Sequence, residues 1–365
     1  MVFLPKKFVV ALAAASLLSL APVLSFPAQA AAQSSTGKVR LVPASAKKAA
    51  AKPAKAKRKV KAAAKRTAVK RASAKRRTAK ARRRVVRRAG LRPSQATLAG
   101  LRQTEDPLQL GSSVAYAVDQ DTGEELVVKN ADVQLPIASV TKLMTALVVA
   151  ESDLDLDHKV RITREDYVRS TASSKLRSGM VLTREALLKA ALMSSDNRAA
   201  HALARSYPGG VAKFVDEMNR RAEALGMTDS RFFDPTGLDN RNQSTARDLG
   251  KLVAAVYEYQ EIRQASTAPA AKIRAGRRTL SLRTTNRLIG DPSWRIGIQK
   301  TGFTTAAGRC MVVQSDVEGR RLVMVVLDSP NNSQRALDMR TMRAFVEAET
   351  AFREDFKDTV PYELF

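Results

Sequence analysis

Two groups of strand-like patterns lie near opposite ends of the folded part of the chain. Residues 112–119 alternate as a half-buried strand does, the turn-forming triplet Asp121-Thr122-Gly123 follows, and residues 126–128 are apolar. This order predicts a β-hairpin. Further apolar runs predict three strands near the other end, at 296–301, 309–315 and 322–327.

Between these groups the apolar positions recur with helical spacing. They predict four helices, at 139–149, 184–194, 211–225 and 249–259, and a fifth helix is predicted at 334–349. Gly226 stands at a helix stop position, and Thr245 to Asp248 resembles a capping box. We therefore predict an α/β fold of the α+β type, with one antiparallel sheet built from both ends of the domain and a helical lobe.

Residues 1–30 have the layout of a secretory signal peptide. Lys6-Lys7 precedes an apolar run at 8–24, and Ala28-Gln29-Ala30 offers a small-residue cleavage site. We predict cleavage after Ala30 and export to the periplasm. An uncleaved membrane anchor is the alternative, although the apolar run is shorter than the about 20 residues of a membrane-spanning helix.

Charge divides the chain into two unequal parts. Of the 63 basic residues behind the net charge of +28, residues 1–100 hold 26 and no acidic residue, so the rest carries 37 basic against 35 acidic residues. We predict that residues 31–105, rich in Lys, Arg and Ala, are disordered and that residues 106–365 form one domain.

The positive charge of residues 31–105 predicts that this segment binds an anionic partner. Because the chain carries an export signal, we expect anionic envelope polymers or lipids rather than nucleic acid, which such a segment would also bind by counterion release. A solubilising spacer without a specific partner is the third possibility.

A serine stands three residues before a lysine at the start of a predicted helix. Residues three apart share one helix face, so Ser139 and Lys142 are expected to touch. A hydroxyl becomes a nucleophile when a base takes its proton, and a buried lysine at a helix N-terminus has a lowered pKa. By itself the spacing is more typical of an N-cap serine and a surface lysine than of a catalytic pair.

Two further short motifs follow in the chain. Ser195 and Asn197 lie directly after the second predicted helix, where a hydroxyl and an amide could relay a proton and orient a substrate, although these residue types also favour turns. Lys300, Thr301 and Gly302 stand at the end of a predicted strand, where they could hold an anionic group while the glycine permits close approach of an extended substrate.

Together, in this order, the three motifs resemble those of the penicillin-recognising serine enzymes, the D,D-peptidases and serine β-lactamases. The amino-acid sequences of several segments are similar to those of D-alanyl-D-alanine endopeptidases of the penicillin-binding protein 7 type, over about residues 108–349. These segments are Pro136 to Ala146, Ala191 to Ala200, Tyr207 to Gly210, Pro235 to Leu238 and Lys300 to Thr304. The basic segment lies outside this resemblance.

The resemblance implies a β-lactamase/transpeptidase-like fold and assigns roles to eight residues. Ser139 would be acylated by a D-alanyl peptide bond of peptidoglycan cross-links, and Lys142 would take its proton. Ser195 and Asn197 would assist proton transfer and position the peptide. Lys300, Thr301 and Gly302 would bind the substrate, and the backbone N–H groups of Ser139 and Phe303 would form the oxyanion hole. β-Lactams would be inhibitors.

Several alternatives stay open. A class A β-lactamase is disfavoured because residues 230–249 hold no glutamate to activate the deacylating water. A D-alanyl-D-alanine carboxypeptidase is harder to distinguish from an endopeptidase. The short stretch of chain after the last predicted helix favours the endopeptidase. A cationic binding module with a vestigial catalytic lobe is disfavoured by the intact motifs.

The remaining reactive residue types are assigned no chemistry. Cys310 and Trp294 are predicted to be core residues, and His158 and His201 lack the spacing of metal ligands. We expect no metal site and no other cofactor.

Overall fold

A five-stranded antiparallel sheet is the centre of the computed structural model, which describes residues 92–359. Its strands are β1 (Val114–Asp119), β2 (Glu125–Lys129), β9 (Arg295–Thr304), β10 (Gly308–Val317) and β11 (Arg320–Ser329). They lie in the order β2-β1-β11-β10-β9, and Val114 of β1 lies opposite Leu327 of β11. The prediction of one sheet built from both ends of the domain is confirmed.

Three pairs of shorter strands accompany this sheet. They are β3 (Leu135–Pro136) with β6 (Gln243–Ser244), β4 (Lys159–Arg161) with β5 (Val181–Thr183), and β7 (Ala270–Ala275) with β8 (Arg278–Arg283). The β7–β8 hairpin was not predicted from the sequence. Its outward positions are mostly charged, so it lacks the continuous apolar run that marks the central strands.

The helices of the described residues form a lobe on one side of the sheet and a cover on the other. They are α1 (Gln95–Leu98), α2 (Lys142–Ala150), α3 (Arg184–Met193), α4 (Asn197–Arg205), α5 (Gly210–Ala224), α6 (Ala246–Tyr257), α7 (Gln260–Thr267) and α8 (Asn332–Thr359). Helix α2 is buried from Lys142 to Val149 and contacts α3 to α7, so it forms the centre of the lobe.

Alternation along β11 divides the core between the two faces of the sheet. Val323, Val325 and Leu327 join the core of the helical lobe. Met324 and Val326 point the other way and pack with residues of α8. Because burial of one such side chain contributes about 1.5–3 kcal/mol, both faces of this strand hold the two layers together.

The folded part begins before residue 106. Helix α1 and the 3₁₀ turn Leu101–Gln103 pack on the domain: Gln95 N donates to Ala306 O at 2.9 Å, and Arg102 pairs with the buried Asp328 at 2.8 Å. Apolar and hydrogen-bonding residues after Arg92 thus order the end of the segment expected to be disordered. The predicted signal peptide at 1–30 and residues 31–91 lie outside the described residues, and their assignments stay predictions.

Most other sequence expectations hold within one to three residues. The last helix is longer than predicted, and α4 adds a helix where none was predicted. Cys310 is fully buried and Trp294 belongs to the core beneath α8, as expected. Within residues 92–359 no helix is both long and apolar enough to cross a bilayer.

Candidate active site

Ser139 lies in a 3₁₀ turn, Ala138–Thr141, that precedes helix α2. The prediction that the α-helix begins at Ser139 is therefore wrong by three residues. Residues i and i+3 eclipse one another in a 3₁₀ turn, which brings Ser139 Oγ within 2.9 Å of Lys142 Nζ. The expected contact forms, although by a tighter turn than predicted.

Two glycines let neighbouring backbone press against this turn. A Cβ atom at Gly302 would lie 2.9 Å from Ile137 O and 3.2 Å from Ser139 N, and one at Gly237 would lie within 2 Å of Ala138 O. Ala138 itself adopts a left-handed conformation, with φ of 49°. Packing from two sides therefore fixes a turn that local sequence would not favour.

The Lys142 amine has three oxygen neighbours and no exposure to solvent. Besides Ser139 Oγ they are Asn197 Oδ1 at 2.7 Å and Thr236 O at 2.5 Å. The last two are acceptors only, so they take the two N–H groups of a neutral amine. Its lone pair then faces the Ser139 hydroxyl, the one neighbour able to donate a proton.

Burial lowers the pKa of Lys142 to about 7, against the opposing effect of the Asp234 and Asp196 charges. A substantial fraction of the molecules therefore carries a neutral amine at neutral pH. An ordinary lysine is almost fully protonated there. The site thus provides a base next to a hydroxyl.

The second motif joins two helices. Ser195 has a φ of 56° and follows α3, and Asn197 opens α4. Asp196 caps α4 by accepting from the N–H groups of Arg198 and Ala199 at 3.0 and 3.2 Å. This cap aims the Asn197 side chain at Lys142, while Asn197 Nδ2 donates to Ser170 Oγ at 3.1 Å.

Lys300, Thr301 and Gly302 lie in the second half of strand β9. Lys300 Nζ donates to Ser195 Oγ at 2.9 Å and to Thr301 O at 2.7 Å, which ties the second motif to the third. Burial, and then the Lys142 charge, lowers the pKa of Lys300 well below its usual value. Thr301 Oγ1 lies 2.6 Å from Thr285 Oγ1.

The structure thus brings together seven of the eight residues singled out in the sequence. The contacts run from Ser139 through Lys142 to Asn197, and from Ser195 to Lys300, with Gly302 against the serine turn. Phe303, the eighth, follows Gly302 with its side chain 44% exposed and its ring under the Arg309 guanidinium at 4.7 Å.

Four further residues around the site were not singled out. Thr236 supplies a carbonyl to Lys142, Ser170 accepts from Asn197, and Thr285 contacts Thr301. Thr236 lies in a segment used for the family resemblance, but its carbonyl carries no side-chain signal. Ser170 and Thr285 are common residue types far away along the chain.

Arg335 of α8 is the fourth of these residues. Its guanidinium is buried, donates to Cys310 O at 3.1 Å, and faces no carboxylate among the residues that the structure describes. Burial lowers the pKa of Arg335 to about 10, and its positive charge contributes to the lowered pKa of Lys300. With the Lys300 amine it forms a buried group of N–H donors, in which a bound anion would favour the charged form of Lys300.

The histidines and the cysteine lie outside this site. His201 Nδ1 contacts Asp166 Oδ1 at 3.0 Å, His158 is exposed, and Cys310 is free and buried. No cluster of three or more metal-ligating side chains occurs between residues 92 and 359.

Comparison with known proteins agrees with this geometry. The model of the peptidase S11 family, described as D-alanyl-D-alanine carboxypeptidase, matches residues 101–331. The chain belongs to this family. It is therefore a serine hydrolase, and the resemblance drawn from the motifs is confirmed.

Two curated relatives share substantial sequence with this S11 peptidase. The D-alanyl-D-alanine endopeptidase of Pseudomonas aeruginosa is 42% identical over 66% of the chain and 79% of the relative. The D-alanyl-D-alanine endopeptidase of Escherichia coli is 37% identical over 70% of the chain and 83% of the relative.

Solved structures confirm the transpeptidase-like fold. The DD-transpeptidase of Streptomyces K15 superposes with a TM-score of 0.63 at 30% identity, covering 67% of this chain and all of that one. Penicillin-binding protein D2 of Listeria monocytogenes, solved in its ampicillin-bound form, gives a TM-score of 0.59 at 30% identity over 66% of this chain and 99% of that one.

Proposed function

We propose that this S11 peptidase is an exported D-alanyl-D-alanine endopeptidase that cleaves peptide cross-links of peptidoglycan through an acyl-Ser139 intermediate. The observation that carries the proposal is the buried Lys142 amine, 2.9 Å from Ser139 Oγ, with its two other oxygen neighbours being acceptors only. Cell-wall remodelling is the corresponding cellular role.

Acylation begins when Lys142 takes the Ser139 proton and the hydroxyl oxygen attacks the carbonyl carbon of a D-alanyl bond. The backbone N–H groups of Ser139 and Phe303 stabilise the oxyanion. Collapse of the intermediate breaks the C–N bond, and the leaving amine takes a proton. This is the proton that Lys142 took from Ser139, and Ser195, hydrogen-bonded to Lys300 at 2.9 Å, is placed to relay it. Water then releases the acyl group from Ser139.

The substrate is bound by residues of β9 and by Arg335 of α8. The carboxylate end of the substrate is held by Lys300, Thr301 and Arg335. These buried side chains are hydrogen-bond donors, and no carboxylate of the described residues neutralises them. Gly302 keeps β9 close to the serine turn, and Asn197 holds the peptide amide as well as Lys142.

The endopeptidase is preferred over the carboxypeptidase on the strength of sequence similarity. Both relatives described above are endopeptidases, at 42% and 37% identity. The family description itself names a carboxypeptidase, so that activity is the alternative.

We also propose that the acyl-enzyme formed with a β-lactam is hydrolysed slowly. None of the three aspartates between residues 230 and 249 is free to activate the water that this hydrolysis needs. Asp234 accepts from the N–H of Gly237 and from Asn242, Asp239 pairs with Arg241, and Asp248 accepts from Ser230. This arrangement supports a penicillin-binding protein over a β-lactamase, as does the similarity to an ampicillin-bound structure.

The proposed location is the periplasm, with the signal peptide cleaved after Ala30 and the basic segment bound to anionic envelope polymers or lipids rather than to nucleic acid. Support comes from the sequence of residues 1–91 alone.

Digestion of purified cross-linked muropeptide dimers, followed by mass analysis, tests the function. We expect conversion of dimer to monomer by the wild type and none by Ser139→Ala. Removal only of a terminal D-alanine from pentapeptide monomers would assign the carboxypeptidase alternative instead.

A further inference from the structure

Basic residues concentrate in one part of the folded chain, although residues 101–365 as a whole are nearly neutral. Residues 262–290 hold seven basic residues and no acidic one. Five of them belong to the β7–β8 hairpin: Lys272, Arg274, Arg277, Arg278 and Arg283. Among residues 92–353, whose side chains the structure describes, no carboxylate forms an ion pair with any of these five. This cationic hairpin is therefore uncompensated.

Strand alternation puts three of the five charges on the outer face of the hairpin. Ile273 and Leu282 are buried and face the lobe, whereas Lys272, Arg274 and Arg283 occupy the alternate, exposed positions. The Gly276 turn, with φ of 62°, carries Arg277 and Arg278 at the tip.

One acidic residue lies beside the hairpin. Residues of β7, α3 and α7 line a cavity of about 420 Å³ next to the hairpin, and Glu185 is among them. Glu185 is already paired with Lys189 at 2.5 Å, so it leaves the hairpin charges available to a ligand.

The cationic face begins at the active site. Thr285 lies two residues after the end of strand β8, and its hydroxyl contacts that of Thr301 at 2.6 Å. Lys175, from the segment that also carries Ser170, donates to Ser281 O of β8. From Arg283 to Arg278 the strand extends about 17 Å away from the site, at about 3.3 Å per residue.

We propose that this face binds the carboxylates of neighbouring uncleaved stem peptides in polymeric peptidoglycan. The inference rests on the proposed function. Lys300, Thr301 and Arg335 already serve the carboxylate of the peptide being cut, so cations spread over about 17 Å of strand β8 beyond the site need further anions on the same polymer. Acidic peptides repeated along a glycan strand meet that requirement over the whole hairpin, whereas a single cross-linked dimer offers fewer carboxylates, all close to the bond that is cut.

The test compares two triple variants of the full-length protein. Arg274→Gln, Arg277→Gln and Arg278→Gln together remove three hairpin charges and leave every residue of the active site in place. The matched control, Lys213→Gln, Arg220→Gln and Arg231→Gln, removes three exposed charges from α5 and the segment after it. The basic N-terminal segment is the same in all three proteins, so its contribution cancels.

We expect the hairpin variant to cleave intact sacculi about tenfold more slowly at low salt than the wild type and the control do. At about 0.5 M salt, where surface charges are screened, the difference should disappear. Hydrolysis of the small dimer and acylation by penicillin should be unchanged, which also shows that the variant is folded.

Equal sacculus turnover by all three proteins would overturn the proposal, and so would an equal loss in the control. If instead only binding to phosphatidylglycerol vesicles fell in the hairpin variant, the face would belong to a lipid surface. Sacculus binding measured in the inactive Ser139→Ala background tests this surface even if the dimer proves not to be a substrate.

Discussion

Protonation of a single lysine controls the proposed reaction. Because the pKa of Lys142 lies near 7 and its neutral form is the base, acylation should accelerate as pH rises through that value. We expect the rate of labelling by a fluorescent penicillin, measured between pH 5 and 9, to have an acidic limb with a midpoint of about 7. A rate that is flat across this range would contradict a lysine base.

Asn197→Asp provides a matched test of the same residue. It replaces the Oδ1 atom at 2.7 Å from Lys142 Nζ by a carboxylate oxygen. An adjacent negative charge favours the protonated amine, so the midpoint should move up by about 1 to 3 pH units and labelling at pH 7 should fall. An unchanged midpoint would show that another group limits the reaction.

The residues of the three motifs were predictable because their types and order carry chemistry. Arg335 was not, since a lone arginine on a helix normally faces solvent, and only the fold buries it next to Lys300. The Thr236 carbonyl belongs to the backbone, for which side-chain patterns give no information.

At the scale of elements, the close approach of β9 to the serine turn depends on Gly302. Gly302→Ala would place a Cβ atom 2.9 Å from Ile137 O and displace the turn. We expect acylation to slow by about 100-fold and the free energy of unfolding to fall by about 1–3 kcal/mol. Gly290→Ala is the matched control, because its Cβ would have no neighbour within 4 Å. Similar effects of the two substitutions would argue against this packing role.

The segment after β4 is anchored by the buried carboxylate of Asp166. It accepts from Thr163 N at 2.8 Å and from Arg205 Nε at 2.9 Å, and it contacts His201. Although burial alone raises the pKa of Asp166, the hydrogen bonds from His201 and Arg205 lower it to about 2. The stabilisation is therefore complete above the unfolded value near 4 and is lost as pH falls toward 2.

Asp166→Asn should lower the free energy of unfolding by about 2 kcal/mol at pH 7, measured by urea denaturation. The difference from the wild type should shrink toward pH 2. Glu165→Gln, next in the chain and 76% exposed, should change stability by less than about 0.5 kcal/mol. Equal effects of both substitutions would refute the anchoring role.

Strands and helices with clear apolar periods were predictable, whereas two features that depend on packing were not. The serine turn is 3₁₀ because Gly237 and Gly302 bring other backbone against it. The β7–β8 hairpin carries charges on one face, so its weak apolar signal becomes visible only when Ile273 and Leu282 are seen to be buried.

For the whole molecule, most of the net charge and the active site lie in different parts of the chain. Helix α1 and the following turn complete the fold from Arg92 onward, and residues 31–91 carry much of the net charge. Deletion of 31–91 should leave penicillin acylation and the unfolding temperature unchanged while weakening sedimentation with anionic vesicles. Loss of acylation on this deletion would show that the basic segment belongs to the catalytic unit.

The central claim is that Ser139 is the residue acylated with Lys142 as its base. Peptide mapping by mass spectrometry, after incubation with benzylpenicillin at pH 7, tests it most directly. We expect one covalent adduct, on the peptide that contains Ser139, absent from Ser139→Ala and strongly reduced in Lys142→Ala. An adduct on another residue, or undiminished adduct formation by Ser139→Ala, would contradict it.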